Sequence, residues 1–137
     1  SFGEQVGATP DGRNSGSPLA HGLSPQSGSA VNGITGAIRS ATDLTLEKAG
    51  GGGAMMWDLD HSWATPEVVK PLLKTFTDRG GHIFQGNVTS VEKLREAREN
   101  PDDYRDLMVR VCGYSARFTT LSEATQEEII SRYKYSD

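Results

Sequence analysis

The pattern of apolar and polar positions predicts four helices connected through short strands and turns. Apolar side chains recur every three or four positions in each predicted helix, as they do when one helix face is buried. Thr65 followed by Pro66 is typical of a helix start, and Ser90 and Ser122 are predicted to cap two further helices. Pro71 falls inside the second helix, where its missing N–H predicts a kink. The predicted helices cover residues 32–46, 65–79, 90–99 and 122–133.

Short apolar runs between these helices have the length of β-strands and cover residues 54–57, 83–84 and 107–111, the last of which resumes beyond Gly113 to Phe118. Gly113 interrupts the last of them, and a lone glycine in a strand usually marks a bulge or a close approach between backbones. Four consecutive glycines at 50–53 predict a flexible connection, since they lack the Gly-Lys-Ser/Thr sequence of a phosphate-binding P-loop. Helices and strands together predict the α/β fold class.

The first thirty residues are rich in Gly, Pro, Ser, Asn and Asp, which predicts a long irregular segment. Hydrophobic residues make up 35% of the chain and glycine occurs 16 times, so the predicted core is thin. We therefore expect the chain to be ordered mainly by docking against a larger protein. It begins at Ser1 without an initiator methionine, which we interpret as a processed or excised segment.

Charge and composition exclude several classes of partner. The net charge is −4 and the basic residues are not clustered, which argues against nucleic-acid binding. No apolar run approaches the roughly 20 residues that span a bilayer, and no secretory signal stands at the start. A single cysteine, Cys112, excludes an internal disulfide framework and fits a reducing compartment. These features predict a cytoplasmic protein without a nucleic-acid or membrane partner.

The histidines and acidic residues do not predict a metal site. His21, His61 and His82 lie far apart, and none has a second His or Cys at ligand spacing. Asp58 and Asp60 would share one face of a strand, but two carboxylates alone specify no metal. We interpret the histidines as surface or hydrogen-bonding residues.

Two sequence blocks carry a resemblance to a known enzyme family. Residues 110–115 (Arg-Val-Cys-Gly-Tyr-Ser) stand close to the C-terminus, and residues 7–13 (Gly-Ala-Thr-Pro-Asp-Gly-Arg) stand far upstream. In this order they resemble the pyruvate formate-lyase-like glycyl radical enzymes, whose radical loop has the sequence Arg-Val-x-Gly-Tyr or Phe. The resemblance covers almost all of this chain but only the C-terminal part of a family enzyme.

The resemblance implies a fold and a division into domains. It implies that the chain is the C-terminal part of a ten-stranded α/β barrel, with short helices around a glycyl radical loop. Residues 1–30 would form the end of the barrel domain, and residues 31–137 would form the glycine radical domain.

The resemblance also implies that the Cα atom of Gly113 stores a radical. Such a radical is stabilised when the Cα is flattened between its amide nitrogen and its carbonyl, and a side chain would crowd that arrangement. A separate activating enzyme, which binds S-adenosylmethionine and a [4Fe-4S] cluster, would remove the hydrogen atom. The glycyl radical would then generate a thiyl radical on a cysteine elsewhere, so the chain alone is an incomplete enzyme. The implied partners are the rest of the enzyme, the activating enzyme, small accessory subunits and a homodimer mate.

The neighbours of Gly113 have different expected roles. Val111 is expected to be buried, and Tyr114 is expected to pack beside the loop with its hydroxyl bonded. Cys112 is interpreted as a small filler next to the radical glycine rather than the thiyl cysteine, which in the family lies well upstream. Arg110 and Arg117 leave two hypotheses open: they are ion-paired surface residues, or they hold the loop backbone and nearby carboxylates.

Residues 82–87 (His-Ile-Phe-Gln-Gly-Asn), together with residues 114–118 (Tyr-Ser-Ala-Arg-Phe), carry a softer resemblance to one branch of the family. They resemble the fumarate-adding benzylsuccinate and alkylsuccinate synthases, which implies a lyase that forms a C–C bond between a hydrocarbon and fumarate in anaerobic metabolism. One alternative is a dehydratase or carbon–nitrogen lyase acting on a small polyol or amine. Another is a standalone spare-part protein that supplies a fresh radical domain to a damaged enzyme.

Overall fold

The computed structural model describes residues 3–25 and 32–133. The proposed boundary between residues 30 and 31 therefore lies outside the described residues, as do Ser1 and the last four residues. The described part contains four α-helices: α1 (Gly33–Thr42), α2 (Pro66–Asp78), α3 (Val91–Glu99) and α4 (Glu123–Ser131). It also contains six short strands: β1 (Ala54–Met56), β2 (Leu59–Asp60), β3 (Ile83–Gln85), β4 (Val88–Thr89), β5 (Met108–Arg110) and β6 (Ser115–Arg117).

The helix boundaries follow local signals in the sequence. Ser90 accepts a hydrogen bond from the backbone N–H of Lys93, and Ser122 accepts one from Thr125, so both predicted N-caps are confirmed. Thr65 precedes α2 as predicted, but its side chain makes no capping hydrogen bond. The helix continues through Pro71, which is exposed.

Two parallel strand pairs form the middle of the structure. β1 pairs with β3, and β2 pairs with β4, so that α2 makes the crossover connection between the two halves. The backbone N–H of Trp57 donates to the Gln85 carbonyl (3.1 Å), and that of Leu59 donates to the Asn87 carbonyl (2.9 Å). These bonds continue the ladder between the two short pairs and fix the backbone on both sides of Gly86.

The strand-like run at 107–111 and the apolar segment beyond Gly113 pair with each other as a hairpin. β5 and β6 are antiparallel, with Arg110 opposite Ser115, and the Val111 N–H donates to the Tyr114 carbonyl (2.9 Å). Gly113 therefore lies in the turn rather than within a strand. Within the described residues the strands form three two-stranded sheets, so the part of a barrel that the family resemblance implies is not formed by these strands alone.

Two groups of buried apolar side chains hold these elements together. One lies beneath the hairpin, between α3 and α4, and the other lies between α1, α2 and β1. The first group contains Leu94, Ala97, Val109, Val111, Phe118, Ile129, Ile130 and Tyr133. The second group contains Ile38, Ala41, Met55, Trp57 and Phe76. Burying Val109 and Val111 fixes the hairpin onto the first group, with its turn projecting outward.

The segment 3–25 is irregular, as predicted, but it is organised around one buried side chain. The guanidinium of Arg13 donates hydrogen bonds to the carbonyls of Val6, Gly7 and Ser17, and Arg13 is 6% exposed. A planar guanidinium with five N–H donors can bridge several carbonyls in this way. Arg13 thus closes the segment that contains the upstream sequence block.

Candidate functional site

Gly113 occupies the turn of the β5–β6 hairpin and is exposed. Its φ angle is +74°, in the left-handed region where glycine has no steric penalty. A Cβ atom built at this position would meet no heavy atom within 4 Å. The backbone conformation, and not crowding by neighbours, is therefore what favours glycine at this position in the described structure.

The side chain of Gln85 binds the backbone of Gly113. Its Oε1 atom accepts a hydrogen bond from the Gly113 N–H (2.9 Å) and a second from Nε of Arg110 (3.0 Å). Gln85 is the last residue of β3, so the parallel ladder with β1 determines where its side chain starts. One amide oxygen thereby connects the parallel sheet to the turn and to the strand that precedes it.

Asn87 holds the hairpin two residues further along the chain. Its Oδ1 accepts from the Arg110 N–H (2.6 Å), and its Nδ2 donates to the Arg110 carbonyl (3.0 Å). The side-chain amide thus pairs with one backbone residue through both of its polar atoms, as a neighbouring strand would. Gln85 and Asn87 are separated by one residue in an extended segment, so their side chains point to the same side.

A buried carboxylate fixes Asn87. Oδ1 of Asp58 accepts from the Asn87 backbone N–H (2.7 Å) and from Nδ2 (3.1 Å), and the Asp58 side chain is fully buried. Burial raises the pKa of Asp58 above its ordinary value of 3.8, against the opposing effects of Arg132 and the hydrogen bonds from Asn87. The charged form is favoured by Arg132, whose Nη1 lies 3.8 Å from Oδ2.

Arg132, just after α4, connects this carboxylate to the rest of the site. Its Nη1 donates to the Arg110 carbonyl (3.3 Å), and its Nη2 donates to Glu128 (2.9 Å). Glu128 in turn lies 2.8 Å from Nε2 of His21 in the N-terminal segment. A continuous polar network therefore runs from the N-terminal segment through α4 to the hairpin.

The residues predicted around the loop occupy different environments. Arg110 contacts Gln85 and holds the loop, whereas Arg117 is exposed and lies 3.8 Å from the exposed Asp106. Val111 is buried, and Cys112 is a half-buried free thiol. Tyr114 was expected to pack beside the loop, but it is 55% exposed because its ring extends from the turn away from the core. Arg110 thus fits the hypothesis of a residue that holds the loop, and Arg117 fits the hypothesis of an ion-paired surface residue.

Neither the histidines nor the acidic residues form a metal site within the described ranges. No group of three or more His, Cys, Asp or Glu side chains is placed there to hold an ion. His21 is hydrogen-bonded, while His61 and His82 are exposed. A separate search of residues 3–25 and 32–133 finds no helix with the length and apolar character to cross a bilayer.

Sequence patterns alone did not reveal the four side chains that hold the hairpin. In the sequence, Gln85 and Asn87 indicate only a branch of the family, and Asp58 stands only as a candidate metal ligand. Their spacing gives a weak signal, because two amides at i and i+2 after an apolar strand end share one side. For Arg132, which follows α4, the sequence gives no signal, since its partners are far away in the chain.

The family model described as "Glycine radical" matches residues 19–119. The chain is 44% identical to the probable dehydratase YbiW of Escherichia coli over 98% of its length and 17% of that protein. It is 39% identical to trans-4-hydroxy-L-proline dehydratase of Clostridioides difficile, over 96% of its length and 17% of that protein. It is 31% identical to formate acetyltransferase 1 of Escherichia coli, over 96% of its length and 19% of that protein.

Solved structures agree with these matches. The glycerol-bound B12-independent glycerol dehydratase of Clostridium butyricum superposes with a TM-score of 0.86 at 38% identity, over 96% of this chain and 17% of that one. A glycyl radical enzyme of Archaeoglobus fulgidus superposes with a TM-score of 0.87 at 36% identity, over 96% of this chain and 17% of that one. The chain thus spans about a sixth of the length of the proteins it matches. Together, the sequence and structure matches show that this chain belongs to the pyruvate formate-lyase-like glycyl radical enzymes.

Proposed function

We propose that this chain is the radical-bearing portion of a glycyl radical dehydratase, and that Gly113 stores the radical. The hairpin geometry supports the assignment of Gly113, since it lies exposed in a turn whose neighbouring strand is anchored by Val109 and Val111. The Cα hydrogen that a side chain would replace faces open space in the described structure. Among residues 3–25 and 32–133, apart from Gly113 and its two chain neighbours, no heavy atom lies within 4 Å of the position that a Cβ replacing this hydrogen would occupy.

The proposed chemistry at Gly113 is a hydrogen-atom transfer. A carbon radical, produced by an activating enzyme from S-adenosylmethionine, breaks one Cα–H bond homolytically and takes the hydrogen atom. One unpaired electron stays on Cα. The glycyl radical later takes a hydrogen atom from a catalytic cysteine, which restores glycine and leaves a thiyl radical to react with substrate. This chain supplies the storage step, and the cysteine belongs to the rest of the enzyme.

The identities of the relatives favour dehydration over fumarate addition. The two relatives at 39% and 44% identity are described as dehydratases, and so is the glycerol enzyme whose structure superposes at a TM-score of 0.86. Formate acetyltransferase matches at only 31%. The preference for benzylsuccinate and alkylsuccinate synthases, which rested on residues 82–87, therefore gives way to the dehydratase alternative. Gln85 and Asn87 of that stretch hydrogen-bond the backbone of the hairpin.

The division into domains and the list of partners belong to the same proposal. We place the end of the barrel domain in residues 1–30 and the radical domain in residues 31–137. The absence of helices and strands in residues 3–25, followed by α1 at Gly33, supports a boundary of this kind. The remainder of the enzyme, a radical S-adenosylmethionine activating enzyme, accessory subunits and a homodimer mate are the proposed partners.

Substrate class is tested by assaying the complete enzyme after anaerobic activation. Glycerol, 1,2-propanediol and trans-4-hydroxy-L-proline are offered separately, and a toluene–fumarate mixture is offered as the competing reaction. We expect loss of water from one of the hydroxylated substrates and no succinate adduct. Formation of a hydrocarbon–succinate adduct, with no dehydration, would restore the fumarate-adding hypothesis.

A further inference from the structure

We propose that Gln85 is a positioning residue that favours the radical state of Gly113 over the closed-shell glycine. This inference rests on the proposed function, because it assumes a radical at the Gly113 Cα. It concerns a residue outside the loop, 28 positions upstream, whose side chain accepts the Gly113 N–H at 2.9 Å.

The backbone of Gln85 is fixed independently of the hairpin. Gln85 is opposite Met56 in the parallel pair of β1 and β3, and its carbonyl accepts from the Trp57 N–H at 3.1 Å. Met56 and Trp57 are both buried. The parallel sheet therefore fixes the backbone from which the Gln85 side chain extends to the turn. The position of the acceptor oxygen does not depend on the hairpin.

The orientation of the Gln85 amide follows from its partners. The Gly113 N–H and the Nε–H of Arg110 are both donors and cannot accept. Only the oxygen of the Gln85 amide can face them, because the NH2 group would place donor against donor. These two donors thus determine which way the amide group is oriented. The Oε1 atom accepts both hydrogen bonds.

The electronic effect arises because the hydrogen bond is stronger in the radical. When Cα flattens, the nitrogen lone pair delocalises toward the half-filled orbital, and the N–H becomes more polar and a better donor. An acceptor already placed at 2.9 Å therefore stabilises the radical more than it stabilises glycine. An interaction that is stronger in one state than the other shifts the equilibrium toward that state. The fixed oxygen of Gln85 meets this condition without rearrangement.

The size of the effect is bounded by the strength of one hydrogen bond. Loss of a typical hydrogen bond changes an equilibrium by about fivefold. We expect Gln85→Leu, which removes the acceptor and substitutes an apolar side chain, to lower the radical yield by up to about fivefold at equal activating-enzyme concentration, because only the difference in bond strength between the two states counts. Gln85→Glu keeps an acceptor oxygen beside Arg110 and should retain the yield.

The test uses the complete enzyme with 15N-labelled glycine, activated anaerobically, and electron paramagnetic resonance. Spin per protein gives the yield, and the nitrogen hyperfine coupling reports how much the nitrogen shares the unpaired electron. Gln85→Leu should show a smaller nitrogen coupling and a larger Cα-proton splitting than the unchanged enzyme. Gln85→Glu should show a larger nitrogen coupling, because a carboxylate is the stronger acceptor.

A structural control separates positioning from general loss of stability. Gln126 is buried in α4 and donates to the Phe118 carbonyl at 3.0 Å, but it does not contact Gly113. Gln126→Leu should lower stability and leave both couplings unchanged. If Gln85→Leu lowers only the yield, or if Gln85→Glu folds with an unshifted nitrogen coupling, the proposal is overturned. If the unchanged enzyme gives no doublet that depends on Gly113, the proposed function itself fails, which is a distinguishable result.

Discussion

At the scale of single residues, Gly113 combines a conformational and a chemical reason for being glycine. Its φ of +74° disfavours any side chain, although the space around it is open. A left-handed conformation costs a non-glycine residue about 1–2 kcal/mol, which the folded hairpin can tolerate. The chemical reason is therefore separable from the structural one by substitution.

We expect Gly113→Ala in the complete enzyme to fold with a small loss of stability and to give no glycyl doublet. Electron paramagnetic resonance of the activated protein measures this, with circular dichroism as the check on folding. Activation followed by exposure to air should also cleave the unchanged chain at the radical and release a fragment beginning near Tyr114, detectable by mass spectrometry. An intact chain after aeration of a protein with a confirmed radical would contradict the assignment.

Cys112 stands beside the radical site but is proposed to have no chemical role. It is a half-buried free thiol in the turn. We expect Cys112→Ala to keep the radical doublet and most of the turnover, because alanine is the nearest small substitute. Spin quantification and a turnover assay on the same preparation check this. A normal doublet with turnover abolished would instead make Cys112 the hydrogen relay.

At the scale of elements, the hairpin is held from one side by the segment that follows β1 and β3. Asp58 and Asn87 come from the two partners of the parallel ladder, and Arg132 approaches from the end of α4. The buried carboxylate makes this hold dependent on pH. Because burial raises the pKa of Asp58, the folded state binds the proton more tightly than the unfolded state does.

The sign of the pH dependence follows from that shift. The contribution of Asp58 to stability is fully present below its ordinary pKa of 3.8 and is lost as pH rises through the raised, folded-state pKa. We expect the free energy of hairpin opening to fall over that interval, measured from exchange of the Arg110 amide in the complete enzyme after correction for intrinsic rates. Asp58→Asn should remove this part of the dependence.

Asp106→Asn is the matched control for this experiment, since the Asp106 side chain is 98% exposed and its ion pair with Arg117, at 3.8 Å, lies at the surface. Its pH profile should follow that of the unchanged enzyme. Identical profiles for the Asp58 and Asp106 variants would show that the buried carboxylate does not control opening.

At the scale of the whole molecule, the chain exposes large apolar side chains where its sheets end. They lie on the parallel strands and on both sides of the Gly113 turn: Ile83, Phe84, Val88, Met108 and Tyr114. Each parallel sheet in the described residues also consists of two strands, and a two-stranded sheet is marginally stable by itself. These features support docking of the chain against the remainder of the enzyme.

If the remainder of the enzyme covers the Gly113 turn, the proposed activating enzyme reaches Gly113 only after the hairpin leaves that contact. We expect hydrogen exchange of residues 107–118 in the complete enzyme to accelerate when the activating enzyme is added, while residues 9–13, closed by Arg13, stay protected. The same mixture without activating enzyme is the control. If the isolated chain melts cooperatively as a monomer and no acceleration is seen, the docking proposal fails and the spare-part alternative is favoured.

The sequence by itself determined the features that depend on neighbours in the chain. The caps at Ser90 and Ser122, the start of α2 at Pro66 and the irregular course of residues 3–25 follow from local backbone preferences. The block around Gly113 and the block at residues 7–13 also indicated the family, because each is a short stretch of sequence that can be recognised without the fold. Local energies are largely independent of how distant parts of the chain pack.

The tertiary structure decided whatever depends on which distant segments meet. The run 107–118 became a hairpin because β5 finds its partner in β6 across Gly113, and not in another strand. The polar contacts on that hairpin join residues 22 to 28 positions apart, since Gln85, Asn87 and Arg132 reach Arg110 or Gly113 from distant parts of the chain. A hydrogen bond specifies its partner by position and direction, and only the folded chain brings such positions together.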